Sequence, residues 1–541
     1  MKIKIALPAL VLFLTWSCTR IEQVDSLLHN ATFYTLDSLQ PVASVMAIKD
    51  GRIIAVGQDD LLNRFEADEQ IDLEGGFAYP GFIDAHCHFY QLGLNESRLS
   101  LLGTKSFDEV IERIKAFDAQ YAPSVLYAWG WDQNDWPVAE FPVNSRLNAL
   151  FPDRPVVLRR IDGHAYLVND YALELAGIDE NTQMEGGAIL RQANRPTGVL
   201  IDAPMRLIDD SLPEMDRDSQ VRALMAAQRI SFENGLTTVN DAGLSRSVIE
   251  LIDSLQQTGD LKMRVYAMIS ASEEQLDYYL DRGPIKTPRL NVRSFKVYAD
   301  GALGSRGAAL KEPYSDDHEH YGALVTPLAD MQAIAERLAE SEFQMNTHAI
   351  GDSANYFVLD LYERVLSNPA KARWKIEHAQ VVDPADFDRF AKGIIPSVQP
   401  THATSDMYWA EERLGPERIK GAYAYQTLLQ QSKVLALGTD FPVEKVSPLL
   451  TFYAAVARQD LDGYPSGGYF ADQALSREQA LKGMTTWAAY SNFEEHEKGQ
   501  LKPGYLADIT VLSKDLLVID AAEIPQVAVE SVFISGERVK N

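Results

Sequence analysis

The chain has 541 residues, 46% of them hydrophobic and 23% charged, the usage of an ordinary globular protein; collagen-like, coiled-coil and wholly disordered architectures are excluded. Fifty lysines and arginines against 77 aspartates and glutamates leave a net charge of −27, so phosphate backbones and anionic headgroups repel it and nucleic acid is not an expected partner. Two cysteines exclude a disulfide framework, and neither sits in a zinc-ribbon spacing.

Lys2 and Lys4 precede an apolar run from Ile5 to Leu14, which is too short to span a bilayer and has the length of a leader core. Ser17-Cys18 follows, resembling a bacterial lipoprotein processing site, although Trp16 departs from the usual pattern. The expectation is a signal peptide over residues 1–17, Cys18 as the lipidated N-terminus, and a protein exported to the cell envelope; plain secretion is the alternative. Membrane association is expected only through that anchor, since no other apolar run has transmembrane length.

From about Asp25 to Glu74 short apolar runs alternate with turns, and Asp50-Gly51 between Ser44–Lys49 and Arg52–Val56 is a hairpin signal. The last fifty residues read alike, with strands at Asp508–Leu512 and Val529–Ile534. Both ends therefore predict one composite β-sandwich domain, residues 22–79 plus 492–541.

Between them, eight strand-like runs alternate with helical ones: Phe82–His88, Leu236–Asp241, Leu261–Ile269, Val292–Asp300, Phe343–His348, Trp374–His378, Ile394–Gln399 and Val434–Asp440. Eight such units predict an α/β fold, a distorted (β/α)8 TIM barrel over residues 80–92 plus 215–491, with its active site at the carboxyl ends of the strands. A doubly wound sheet is the competitor. About 150 residues separate the first strand from the second, against roughly 30 per βα unit, so an insertion over residues 93–214 is expected.

Polar residues with chemical potential fall at those strand ends. In a strand, i and i+2 share a face, so His86 and His88 of Asp84-Ala85-His86-Cys87-His88 point together into the barrel mouth and Cys87 points toward the helices. Lys296 lies mid-strand on the face of Tyr298 and Asp300; a barrel-interior lysine must be neutralised, paired or modified. Pairing with Asp300 is one reading, carboxylation to an anionic oxygen ligand another. His348, His378 and Asp440 end the fifth, sixth and eighth strands. Each alone also has a bland reading, a satisfied strand-end polar group or, for Asp440, a helix N-cap; four histidines and an aspartate together in barrel phase fit that reading less well.

This constellation resembles the metal-dependent amidohydrolase superfamily, within it the branch that includes N-substituted formamide deformylases, through Pro80–His88, Lys296–Arg306, Asn346–Asp352, Lys375–Gln380 and Gly438–Val443. The resemblance implies that His86, His88, His348 and His378 bind a divalent metal, zinc the expected ion, at one or two per chain, with Lys296 the shared ligand and Asp440 the catalytic general base and acid. It implies a small-molecule substrate with a carbon–nitrogen bond other than a peptide bond, a linear amide of N-acyl or N-formyl type. A deaminase or cyclic-amide hydrolase is the second reading, and a non-catalytic envelope lipoprotein that binds a ligand or metal is a reading of another class. A homodimer is left open.

Further candidates for substrate contact are His164 in the insertion, Arg306 as a carboxylate binder or loop pin, Trp131 and Tyr298 as pocket walls or, as aromatic residues more often are, core, and His402 after the seventh strand. His318 and His320 sit in an acidic loop and read as solvated.

Overall fold

The computed structural model describes residues 22–96, 98–213 and 215–540; the leader expected over residues 1–17, with Cys18, lies outside the described residues. Among those described, no helix is long and apolar enough to cross a membrane.

Eight strands, Phe82–Cys87, Leu236–Leu244, Arg264–Ser270, Leu290–Tyr298, Gln344–Ala349, Lys375–His378, Ile395–Val398 and Ala436–Leu437, follow one another in a single sheet, each parallel to the next. The eighth is only two residues long, and closure falls to the chain just beyond it: Asp440 N–H donates to His86 O and His88 N–H to Phe441 O, both at 2.8 Å. These strands are buried on both faces, as parallel sheets covered by helices must be. In the fourth strand Phe295 and Val297 pack outward into the large core beneath the helices, which leaves Lys296 facing the barrel interior. Cys87 joins the same outer core, its Sγ 3.4 Å from Asn240 O, as a buried small hydrophobe.

The first strand runs into helix Phe89–Glu96, and the chain re-enters the barrel through helix Arg217–Glu233. The two helices meet so closely at Gly93 that a Cβ there would lie 1.8 Å from Ala223 O. The chain between them builds a separate six-stranded sheet, from Gly187–Gln192 at one edge through Arg195–Asp202, Ala165–Val168, Val156–Arg160 and Leu126–Trp131 to Leu99–Ser100. It has its own apolar core around Ile114, Trp131, Trp136, Leu158 and Leu167.

Of the remaining two sheets, one is built from residues 22–72 and the other from both ends of the chain. One orders Arg52–Gly57, Val45–Lys49, Glu22–His29 and Phe65–Asp72, with the Asp50-Gly51 hairpin pairing Lys49 with Arg52. The other places Phe77–Pro80 antiparallel to Ile509–Leu512, which pairs on its other side with Val529–Ile534. Leu28, Phe33, Met46, Ile53, Val511 and Phe533 form the core between the sheets. Arg264 of the barrel clamps Asp508 from two nitrogens, Nε at 2.6 Å and Nη2 at 2.9 Å, tying this unit to the amino ends of the barrel strands.

Candidate active site and metal centre

At the carboxyl ends of the strands, His86, His88, Lys296, His348, His378 and Asp440 converge. The rings of His86 and His378 are 4.9 Å apart, those of His348 and His378 4.5 Å, and Lys296 Nζ lies 3.2 Å from His86 Nε2. Asp440 Oδ1 lies 3.2 Å from His88 Nε2 and 3.6 Å from His86 Nε2. His378 and Asp440 reach this geometry with φ of 73° and 62°, a left-handed conformation that non-glycine residues hold only when the surroundings impose it and that turns both side chains inward.

Hydrogen bonding sets the tautomers. His86 Nδ1–H donates to Glu377 Oε2 at 2.7 Å, which leaves the Nε2 lone pair facing the centre. His88 Nδ1–H donates to Ala242 O at 3.1 Å, which leaves Nε2 turned to Asp440 Oδ1. Two acceptors so close call for a proton or a cation between them. Asp440 Oδ1 and His378 Nδ1 are buried without hydrogen-bond partners among the described residues, and His86, His88 and Asp440 form one candidate metal-holding group while His378, His402 and Asp440 form another. Imidazole and carboxylate donors with unspent lone pairs fit a divalent ion such as zinc.

The electrostatics favour the same use. Burial pushes His348 and His378 well below the ordinary histidine value and lowers His86, with Lys296 adding to the effect at each, so these rings stay neutral and able to coordinate. Burial brings Lys296 down to about 8. Burial would raise Asp440, yet His402, His88, His86 and His378 around it hold the carboxyl well below its usual range. The turn that carries Asp440 is pinned by Asp84 of the first strand, which accepts from Thr439 N at 3.0 Å and Thr439 Oγ1 at 2.7 Å.

His402 belongs to the site. Its Nδ1 faces Glu444 Oε1 at 3.2 Å and its Nε2 faces Asp440 Oδ2 at 3.3 Å; although burial opposes a charge, the two carboxylates raise its pKa well above the ordinary value. His164 reaches over from the inserted sheet with its ring 5.2 Å from that of His348, and its Nδ1–H donates to Asp202 Oδ1 at 2.5 Å. Tyr298 stands beside His348 at 5.6 Å between ring centres. These side chains line a cavity of about 240 Å³ above the histidines, and His88, Asp162, His164 and Tyr298 also border an adjoining lobe of about 820 Å³.

Three expectations need correction. Trp131 does not line the pocket: it is buried within the inserted domain, its Nε1 donating to Leu158 O at 2.8 Å, because a separate sheet needs large apolar side chains for its own core. Trp136 packs beside it. Arg306 is not at the cavity either; it pairs with Asp316 at 2.8 Å and holds the loop after the fourth strand, while His320 of the same loop lies exposed and meets Arg306 O. Asp300 is not the partner of Lys296, since its carboxylate is consumed by the backbone N–H groups of Ala309, Ile350 and Gly351.

Several functional neighbours are not evident from sequence. Glu377 precedes His378 in a fully buried strand, and a lone carboxylate there is itself a signal that a histidine must be oriented. Arg160, bound by Asp132 and Asp162, stiffens the part of the insertion that roofs the cavity; its clue is the run Arg159-Arg160-Ile161-Asp162-Gly163-His164. Asp406, pushed up to about 7 by burial, accepts from Tyr423 Oη at 2.8 Å at the cavity wall.

The comparisons with known proteins agree with this geometry. The amidohydrolase family description matches residues 69–540. The putative amidohydrolase YtcJ of Bacillus subtilis is 32% identical over 524 residues, covering 94% of this chain and 98% of its own. The N-substituted formamide deformylase of Arthrobacter pascens is 25% identical over 540 residues, covering 95% and 97%. Among solved structures, an uncharacterised metal-dependent hydrolase from Pyrococcus horikoshii superposes with a TM-score of 0.74 at 29% identity, over 92% of this chain and 99% of its own. With the match running from the end of the first β-rich segment to the last strand, the chain belongs to the amidohydrolase family, metal-dependent enzymes that hydrolyse C–N bonds.

Proposed function

We propose that the protein hydrolyses a linear amide of N-acyl or N-formyl type, consuming one water and releasing a carboxylic acid and an amine. His86, His88, His348 and His378 would hold the divalent ion, zinc the expected one, with Lys296 as a carboxylated ligand shared between two ions where two bind. Bound there, the ion supplies Lewis-acid chemistry, acidifying water and polarising the substrate carbonyl. The observation that carries the reading is Asp440 Oδ1, a buried carboxylate oxygen set among histidines, 3.2 Å from His88 Nε2, with no hydrogen bond among the described residues.

Asp440 takes a proton from the attacking water at Oδ1 and returns it to the departing nitrogen, so one carboxylate serves both steps. His402 holds Oδ2 and so fixes which oxygen does the work. Glu377 keeps the proton of His86 on Nδ1. The inserted domain contributes His164 and the Arg160 ion pairs to one wall of the cavity. Resemblance to the deformylase supports a linear amide.

Protein purified without chelator, analysed for metal and assayed against N-formyl and N-acetyl amines, cyclic imides and aminopurines, tests the proposal. Linear amide hydrolysis that is lost with the metal and restored with zinc supports it. Turnover confined to cyclic imides or aminopurines would move the assignment to a cyclic-amide hydrolase or deaminase, and metal binding without any turnover would favour a binding lipoprotein. The same proposal carries export to the envelope with Cys18 lipidated, which mass spectrometry of the mature N-terminus tests.

A further inference from the structure

The wider lobe contains a half-buried cation that, among the described residues, has no carboxylate within ion-pair distance. Arg159, on the strand Val156–Arg160 of the inserted sheet, borders the lobe beside His164 and Tyr298. Its Nη1 donates to Gln91 Oε1 at 3.0 Å, its Nη2 lies 3.5 Å from Gly163 O, and its Nε has no hydrogen-bond partner among the described residues. The other arginines near the mouth are satisfied: Arg160 holds Asp132 and Asp162, and Arg306 holds Asp316. The lobe's own carboxylates are engaged elsewhere or beyond hydrogen-bonding distance, although Asp209 lies near enough to favour the Arg159 charge against its desolvation. Asp202 accepts from His164, Asp209 from Tyr166 Oη at 2.8 Å, and Glu273 from Arg337 at 3.0 Å, whereas Glu185, Asp330 and Arg206 are exposed at the rim.

A partly desolvated guanidinium with donors not taken up by the protein can take an anion, and its planar fork matches a carboxylate. The lobe that Arg159 borders also offers apolar wall from Met205, Leu276 and Ile334. Because His88, Asp162, His164 and Tyr298 border both cavities, one molecule can span them.

We infer that Arg159 anchors a carboxylate on the substrate, so that the enzyme selects N-acyl or N-formyl amino acids with an apolar side chain over neutral amides. This rests on the amide assignment above, which it narrows.

The test is a matched pair, N-formylphenylalanine and N-formylphenethylamine, which differ only by the carboxylate. Wild-type enzyme is expected to favour the acid in kcat/KM by roughly 10- to 100-fold, the range of a charged hydrogen-bonded contact. R159Q should erase that ratio, and R159K, which keeps the charge but not the fork, should retain part of it. Equal turnover of both compounds by wild type, or a ratio that R159Q leaves intact, overturns the anchor. Calorimetric titration of the same pair separates this inference from the amide assignment. If neither compound is hydrolysed but the acid binds at least tenfold more tightly and R159Q removes the difference, the anchor stands and the amide reading falls; equal or absent binding of both overturns the anchor. The wild-type comparison holds even if the variants fold poorly, and circular dichroism identifies that case.

Discussion

Glu377 Oε2 accepts the Nδ1–H of His86 at 2.7 Å, with both side chains fully buried at the carboxyl ends of different barrel strands. The pairing presents His86 Nε2 to the centre as a lone pair. Glu377→Gln can offer its amide nitrogen to the same ring position and so favour the wrong tautomer. The expected outcome is metal affinity lower by about 10- to 100-fold, as for other partners that orient a metal-bound histidine. Competition with a fluorescent zinc chelator reads this directly, and unchanged affinity would show that Glu377 does not set the tautomer.

Asp440→Asn keeps the shape and the contact with His402 but removes the proton acceptor. Metal content should stay near that of the wild type while kcat falls roughly 100- to 10,000-fold, the span of general acid–base contributions. An Asn variant with near-normal kcat would remove Asp440 from proton transfer. His402→Asn should act more mildly, lowering kcat while leaving metal bound, because it frees Oδ2 without removing the base.

The barrel is legible in the sequence because most of its expected strands are short apolar runs that end in a polar residue, and His348, His378 and Asp440 recur at multiples of one βα unit. Side-chain direction is readable where period two applies, as for Cys87 against His86. Partnership is not. Arg159 and Arg306 are the same residue type near the same mouth, and only the position of Asp316 decides which is already paired. That Trp131 is core rather than pocket wall is the commoner reading of an aromatic residue, but which core it enters is not legible, because that core belongs to an inserted sheet whose packing leaves no local signature. Phe65–Asp72 does not read as a strand because it is mostly exposed and acidic, its place fixed by parallel pairing to Glu22–His29.

Gly438 sits where the eighth strand closes on the first, and a Cβ there would lie 2.5 Å from His86 N and 2.8 Å from His86 O. These are backbone atoms of a metal-ligand candidate, so no side chain can yield. Gly438→Ala should displace His86 or Asp440, costing about 1–3 kcal/mol from overpacking and metal occupancy as well. Urea denaturation with elemental analysis checks both; a variant that is destabilised yet fully metal-loaded would separate barrel closure from the site.

The pH dependence of stability has a source remote from the metal. Glu494 is buried beneath the barrel between Lys498 Nζ at 2.6 Å and Lys286. Burial alone would raise its carboxyl, but the two lysines win and bring it from 4.5 down to about 2. Burial draws Lys498 down as well, whereas Lys286, half-open to solvent, is raised by the same carboxylate despite its own desolvation and keeps its charge most firmly. A depressed carboxylate pKa stabilises the fold above the unfolded value and is lost as the pH falls toward the folded one. Wild type should therefore exceed Glu494→Gln at pH 7 by a pH-dependent part of about 3 kcal/mol, since a tenfold change in proton affinity is worth roughly 1.4 kcal/mol. That part should shrink below pH 4.5 and be nearly gone at pH 2. Urea unfolding of both proteins between about pH 7 and pH 3 reads the trend, and a difference that stays constant with pH would show that the lysines do not hold Glu494 ionised.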